Sequence, residues 1–116
     1  MTKEEFNMVM QNADIYVQKI ISIIYKHIDD SEFRIEKLCI EAGMSRSVVF
    51  RKVKESFGMS PVLLIRSLRL EHGVNLLLKG NVSVMDVAYA CGFTSSRYFS
   101  TCFKQKYGFV PSALIK

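Results

Sequence analysis

Residues 35–61 are written a second time, in altered form, at 84–111. Ile35-x-x-Leu38-Cys39-x-x-Ala42-Gly43 corresponds to Val84-x-x-Val87-Ala88-x-x-Cys91-Gly92 at an offset of 49. Past the glycine the offset becomes 50, and Val49, Val53, Lys54, Phe57, Gly58 and Pro61 are matched by Phe99, Phe103, Lys104, Tyr107, Gly108 and Pro111. One extra residue therefore sits in the second turn. Each copy reads as a short helix, a tight turn containing glycine, and a second helix carrying basic residues. Two helices that cross steeply need a small side chain where they touch, which Cys39 and Ala88 supply. Gly43 and Gly92 tolerate the backbone angles of the reversal, and Met44 and Phe93 can plug the gap that follows.

The rest of the pattern is also helical. Phe6, Val9, Met10, Ala13, Val17, Ile20, Ile21, Ile24 and Ile28 recur at spacings of three and four, which predicts one helix over about 12–28, with room to reach back to residue 4. Pro61 suits the first turn of a long helix, apolar at Leu64, Ile65, Leu68, Val74, Leu77 and Leu78 and stopping near Gly80. Ser45, Ser83 and either Thr94 or Ser95 are placed to cap the helices that follow them, with Ser83 and Asp86 spaced as a capping box. Pro111 opens a last short turn. No segment alternates with a period of two. The expected fold is all-α, two helix-turn-helix subdomains joined by a long linker helix, with about seven helices. The expected organisation is 1–12 as linker or helical extension, 13–60 as N-terminal helix and first helix-turn-helix unit, 61–80 as connecting helix and 81–116 as second unit.

Charge follows the repeat. The formal net charge is +5, but residues 1–44 hold 5 basic and 8 acidic side chains, and residues 45–116 hold 11 basic and 3 acidic. Ser45–Gly58 carries Arg46, Arg51, Lys52 and Lys54 against Glu55, a net of +3; Thr94–Gly108 carries Arg97, Lys104 and Lys106 with no acid, again +3. Basic second helices suit a helix-turn-helix that lays that helix in the major groove. The connecting helix of 19 residues spans roughly 28 Å, against about 34 Å between successive major grooves on one face of the duplex. A monomer could thereby place two recognition helices on neighbouring turns.

Other classes fit less well. No apolar run is long enough to span a membrane, and the start MTKEEF lacks a secretory signal's apolar core. Cys39, Cys91 and Cys102 form no disulfide framework, and neither His27 nor His72 adjoins a metal-ligand cluster. These features point to a cytoplasmic protein with no cofactor and no metal. An enzyme would need a phosphate loop, a paired carboxylate set or a Cys/His constellation, none of which is present. A helical protein-interaction module accounts for the helices but not for the matching charge of the two second helices.

Several segments in order carry a family resemblance: Glu41-Ala42-Gly43-Met44-Ser45-Arg46, Phe57-Gly58-Met59-Ser60-Pro61, Ile65-Arg66-Ser67-Leu68-Arg69-Leu70, and Ala88-Tyr89-Ala90-Cys91-Gly92-Phe93 leading into Tyr98-Phe99-Ser100-x-x-Phe103-Lys104, closed by Gly108-x-x-Pro111-Ser112. Over about residues 32–115 the chain resembles the DNA-binding domain of AraC-type transcription regulators. Met44-Ser45-Arg46-Ser47 and Ile65-Arg66-Ser67-x-Arg69-Leu70 resemble domains at the C-terminus of hybrid two-component sensor-regulators. The resemblance implies double-stranded promoter DNA as partner, transcription regulation as function and no catalysis. It implies DNA contacts by Arg46, Ser47, Phe50 and Arg51 in the first recognition helix and by Ser96, Arg97, Tyr98 and Thr101 in the second. Arg51 and Arg97 can each pair with guanine O6 and N7, and Phe50 can touch a thymine methyl. Ser45, Thr94 and Ser95 can bond phosphates or cap their helices, while Lys52, Lys54, Lys104 and Lys106 supply electrostatics and register. RNA polymerase is admitted as a second partner. The isolated domain is expected to be a monomer, and a longer parent protein could be dimeric.

Certain residues have a second reading. Phe50 and Tyr98 could instead pack at the edge of the core, and Arg66 and Arg69 could pair internally, with Glu71 or a helix end. The cysteines read as small hydrophobes, and the Phe6–Met10 portion of the first helix could dock on a partner. Two departures from the family pattern stand out. Arg34 occupies the capping position that Ser83 fills in the second unit, at a cost of about 1 kcal/mol at most. Gly73 interrupts the long helix, at roughly 0.5–1 kcal/mol unless it allows closer packing.

Overall fold

The computed structural model describes residues 1–115, which form seven α-helices and a closing 3-10 turn; no strand occurs among the described residues. The helices are α1 (Lys3–Asn12), α2 (Ile15–Lys26), α3 (Ile35–Ala42), α4 (Arg46–Phe57), α5 (Pro61–Lys79), α6 (Val84–Ala90) and α7 (Ser96–Tyr107), followed by the 3-10 turn Pro111–Leu114. Two compact units divide the chain. The first comprises Met1–His27 and Phe33–Ile65; the second comprises Ile28–Glu32 and the chain from Arg66 onward. Helix α5 contributes its first five residues to the former and the remainder to the latter.

In the first unit, the α2 stripe of Val17, Ile20, Ile21 and Ile24 is buried against Ile35, Leu38 and Ala42 of α3 and Val49, Val53 and Phe57 of α4. Polar ties add register: Glu41 of α3 meets His27 Nε2 at 2.8 Å and Lys26 Nζ at 3.6 Å, and Phe33 stacks on the His27 ring at 4.6 Å. The His27 bond is the chief reason the Glu41 carboxyl lies below its ordinary range.

The helix expected over about 12–28 forms as α2, but the reach back to residue 4 does not join it, and that segment is a separate helix. The apolar spacing runs through Ala13 unbroken, but Asp14 is extended (φ −69°, ψ 168°) and its carboxylate accepts the Val17 N–H at 2.8 Å. An aspartate side chain that takes a backbone donor two or three residues ahead starts a helix at that point. The preceding segment forms α1, in which Phe6 stacks on Phe57 at 5.6 Å.

The second unit has an aromatic core. Phe99 and Phe103 of α7 are fully buried with Leu70, Leu77, Val87, Ala88, Cys91 and Phe93. Gly73 lies inside this core. A Cβ there would stand 3.0 Å from the Phe99 ring and 3.5 Å from Cys91 Sγ, so the glycine is a close-packing site. Ile28–Glu32 joins this unit through Arg69, whose Nη2 donates to the Asp30 carbonyl at 2.7 Å. Burial pushes the Cys91 thiol up to about 12 and leaves it unreactive. Cys102 is also buried, while Cys39 is only partly so.

Tyr107 differs from its repeat partner Phe57 by one oxygen. That hydroxyl is buried with no hydrogen-bond partner among the described residues. Desolvation, followed by the nearby Glu71 carboxylate, pushes its ionisation up to about 12. A buried unpaired hydroxyl costs free energy that an isosteric ring does not, so Tyr107→Phe is expected to raise stability by about 1 kcal/mol. Urea denaturation followed by helical circular dichroism checks this. A destabilised variant would mean that the hydroxyl is satisfied.

Candidate nucleic-acid interface

The two turns place α4 and α7 alike. Gly43 (φ 67°) and Gly92 (φ 84°) are left-handed, and Ser45 and Ser95 cap the helices that follow by accepting from Val48 N–H at 3.3 Å and Tyr98 N–H at 3.2 Å. Of the two candidate caps, Ser95 therefore fills the role, and Thr94 is exposed before it. Arg34 at the start of α3 makes no side-chain cap bond, whereas Ser83 accepts from Asp86 N–H at 3.0 Å.

Each recognition helix buries one edge, Val49, Val53 and Phe57 in α4 and Phe99, Cys102 and Phe103 in α7. The opposite face is left to solvent. On α4 it carries Ser47, Arg51 and Lys54, with Phe50 half-buried at its margin; Arg46 shares the stripe of Val53 and Phe57 and is exposed because it stands at the helix's first turn. On α7 it carries Arg97, Tyr98, Thr101 and Lys104, with Ser96 half-buried at the first turn. At the offset of 50, Ser47 and Arg51 correspond to Arg97 and Thr101. At these two matched positions each helix presents one hydroxyl and one guanidinium a turn apart, in opposite order.

The side chains differ in how they are held. Among the described residues, Arg51, Arg97 and Lys104 form no ion pair or side-chain hydrogen bond. Arg46 Nη1 donates to Glu36 Oε1 of α3 at 3.4 Å, and its guanidinium lies 5.1 Å from the centre of the Phe50 ring. Phe50 therefore supports an arginine instead of filling the core. Tyr98 is half exposed, 5.9 Å from the Phe93 ring, and its hydroxyl accepts from Arg66 Nη1 at 3.3 Å. Thr101 Oγ1 donates to the Arg97 carbonyl, the Ser45 and Ser47 hydroxyls are 3.2 Å apart, and Lys54 Nζ donates to the Gly58 carbonyl at the end of α4.

Two of the lysines turn inward. Lys52 Nζ donates to Asp14 Oδ2 at 3.2 Å, with only 20% of its side chain exposed. Lys106 Nζ donates to both oxygens of Ser67 on α5, and burial holds its ammonium below the ordinary lysine range despite the Glu71 carboxylate. Both partners lie nearly forty residues away in sequence, so the turn inward leaves no mark in the local pattern. Of the residues named from sequence, the structure gathers Ser47, Arg51 and Lys54 on the solvent face of α4, with Phe50 at its margin and Arg46 at the first turn. It gathers Arg97, Tyr98, Thr101 and Lys104 on one face of α7, and it sets Lys52 and Lys106 apart.

Residues 38–116 match the helix-turn-helix domain family. MtrA of Neisseria gonorrhoeae, a helix-turn-helix transcriptional regulator, is 37% identical over 91 residues, 77% of this chain and 30% of that protein. The C-terminal domain of AraT, a response regulator from Geobacillus stearothermophilus, superposes with a TM-score of 0.80 at 27% identity, covering 87% of this chain and 84% of that one. The DNA-binding domain of AdpA, a global transcriptional factor solved in complex with a target DNA, gives a TM-score of 0.77 at 27% identity, covering 87% and 89%. The chain spans between 7% and 36% of the length of the curated relatives it matches first. The chain thus resembles MtrA in sequence and shares the fold of the two solved domains. The chain belongs to the AraC-type helix-turn-helix domains, the non-catalytic DNA-binding modules of transcription regulators.

Proposed function

We propose that this chain reads double-stranded promoter DNA with two helices, α4 and α7, each entering a major-groove segment. The observation that carries the reading is the pair of outward guanidinium groups, Arg51 and Arg97, exposed with no partner among the described residues. A free guanidinium on a recognition helix can pair in bidentate fashion with guanine O6 and N7. Ser47, Phe50, Tyr98 and Thr101 share those faces and add contacts to base edges or thymine methyls. Arg46, Lys54, Lys104 and the exposed serine hydroxyls approach phosphate. Because the hydroxyl and the arginine exchange places between α4 and α7, the bound site is expected to contain two unlike elements, not a palindrome.

Regulation of transcription follows from the family, and RNA polymerase is the natural second partner of an activator on promoter DNA. The resemblance to the AraT C-terminal domain supports an output domain of a two-component regulator acting in the cytoplasm. A dimeric parent protein would pair two such readers. No helix among the described residues is long and apolar enough to cross a membrane.

A salt titration tests the electrostatic part. Each phosphate contact contributes about 0.9 to the slope of log K against log salt. Lys104→Ala is expected to lower that slope by about 0.9 and to weaken selected and scrambled duplexes alike. An effect confined to one sequence would instead make Lys104 a base-reading residue.

A further inference from the structure

Lys52 follows Arg51 directly in α4, and the two side chains leave the helix about 100° apart. Arg51 points to solvent. Lys52 Nζ reaches Asp14 Oδ2 at 3.2 Å and lies 5.0 Å from the centre of the Tyr16 ring. Asp14 divides its carboxylate: Oδ1 accepts the Val17 N–H that starts α2, and Oδ2 takes Lys52. The Val17 bond first, and the Lys52 bond second, hold that carboxyl below its ordinary range. Val17, Ile20, Ile21 and Ile24 anchor α2 in the core of the first unit, so its first turn is a fixed point for whatever is tied to it. Asp14 and Tyr16 both lie outside the family match at 38–116.

We propose that Asp14 is a positioning residue for DNA reading: with α4 seated by Val49, Val53 and Phe57, the tie through Lys52 trims the helix's rotation about its own axis, and hence where Ser47 and Arg51 meet the base edges. This rests on the reading of α4 as a recognition helix. Asp14 is half exposed, and an exposed ion pair contributes little to folding. Its effect belongs to geometry, because a base-reading side chain works only when the residues behind it hold its angle. A lysine that contacted phosphate would behave otherwise. It would aid every sequence equally and add to the salt slope.

The test measures binding of the full chain to a duplex selected from a random pool and to a scrambled duplex of equal length, across a salt series. Asn caps a helix as well as Asp, so Asp14→Asn keeps the start of α2 while removing the charge that holds Lys52. The melting temperature is expected to be unchanged, the selected duplex to bind about 3- to 10-fold more weakly and the scrambled duplex no more weakly. Lys52→Gln is expected to show the same loss of discrimination with an unchanged salt slope, and Lys52→Arg to restore discrimination. If Lys52→Gln weakens both duplexes equally and lowers the slope by about 0.9, Lys52 contacts phosphate and the proposal is overturned. It is also overturned if neither Asp14→Asn nor Lys52→Gln alters discrimination. An unaltered chain that does not distinguish the two duplexes would overturn the underlying DNA reading before any variant is compared.

Discussion

Gly92→Ala is expected to cost about 2–5 kcal/mol of stability, while Gly43→Ala at the matching turn costs only about 1–2 kcal/mol. Both glycines are left-handed, at φ 84° and 67°, and an alanine in that region carries backbone strain wherever it stands. The two positions differ in what surrounds them. A Cβ on Gly43 meets nothing within 4 Å, whereas a Cβ on Gly92 would lie 2.7 Å from the Ile28 carbonyl oxygen and 2.7 Å from Arg69 Nε. Neither neighbour gives way easily. The carbonyl is backbone, and the Arg69 guanidinium is held by its bond to the Asp30 carbonyl. Relief therefore requires Ile28–Glu32 to move off the second unit, which adds an overpacking term to the strain. Urea denaturation of the two variants side by side measures the difference. Equal losses would show that the Ile28–Glu32 segment is not packed against this turn.

Arg51→Ala is expected to remove about 1–3 kcal/mol of discrimination at one base pair, roughly 5- to 150-fold, and to leave the preference elsewhere in the site intact. Arg97→Ala should do the same at a different base pair in the other element. The prediction is confined to single positions because both guanidinium groups are exposed and hold nothing else among the described residues, so truncation removes a reader without disturbing the fold. Competition binding against a panel of single-base variants of the selected site measures it. A uniform loss across the panel would reassign the arginine to phosphate.

Much of this arrangement was legible because the repeat is written twice. Val49 and Val53 in one copy and Phe99 and Phe103 in the other mark the same inward edge, and that edge identifies the outward one. Where a single side chain competes with periodicity, pattern reading fails. The apolar stripe passes through Ala13 without interruption, yet the Asp14 carboxylate takes the Val17 N–H and divides the helix. Tertiary partners are equally hidden. Lys52 and Lys106 read as surface cations, but a flexible four-carbon stem can swing to an acceptor nearly forty residues distant, and both do so. The association of Ile28–Glu32 with the second unit, through Arg69 and Gly92, likewise depends on contacts that no local spacing announces. Gly73 was ambiguous in sequence, as a weak point or a packing site, and the Phe99 ring beside it decides for packing.

The most direct measurement is selection of preferred duplexes from a random pool by the purified chain at moderate salt. The predicted result is one enriched site with two unlike elements, each containing a base pair whose selection vanishes in Arg51→Ala or in Arg97→Ala. A pool that emerges no different from the one supplied, or a site unchanged by both substitutions, would contradict sequence reading by α4 and α7.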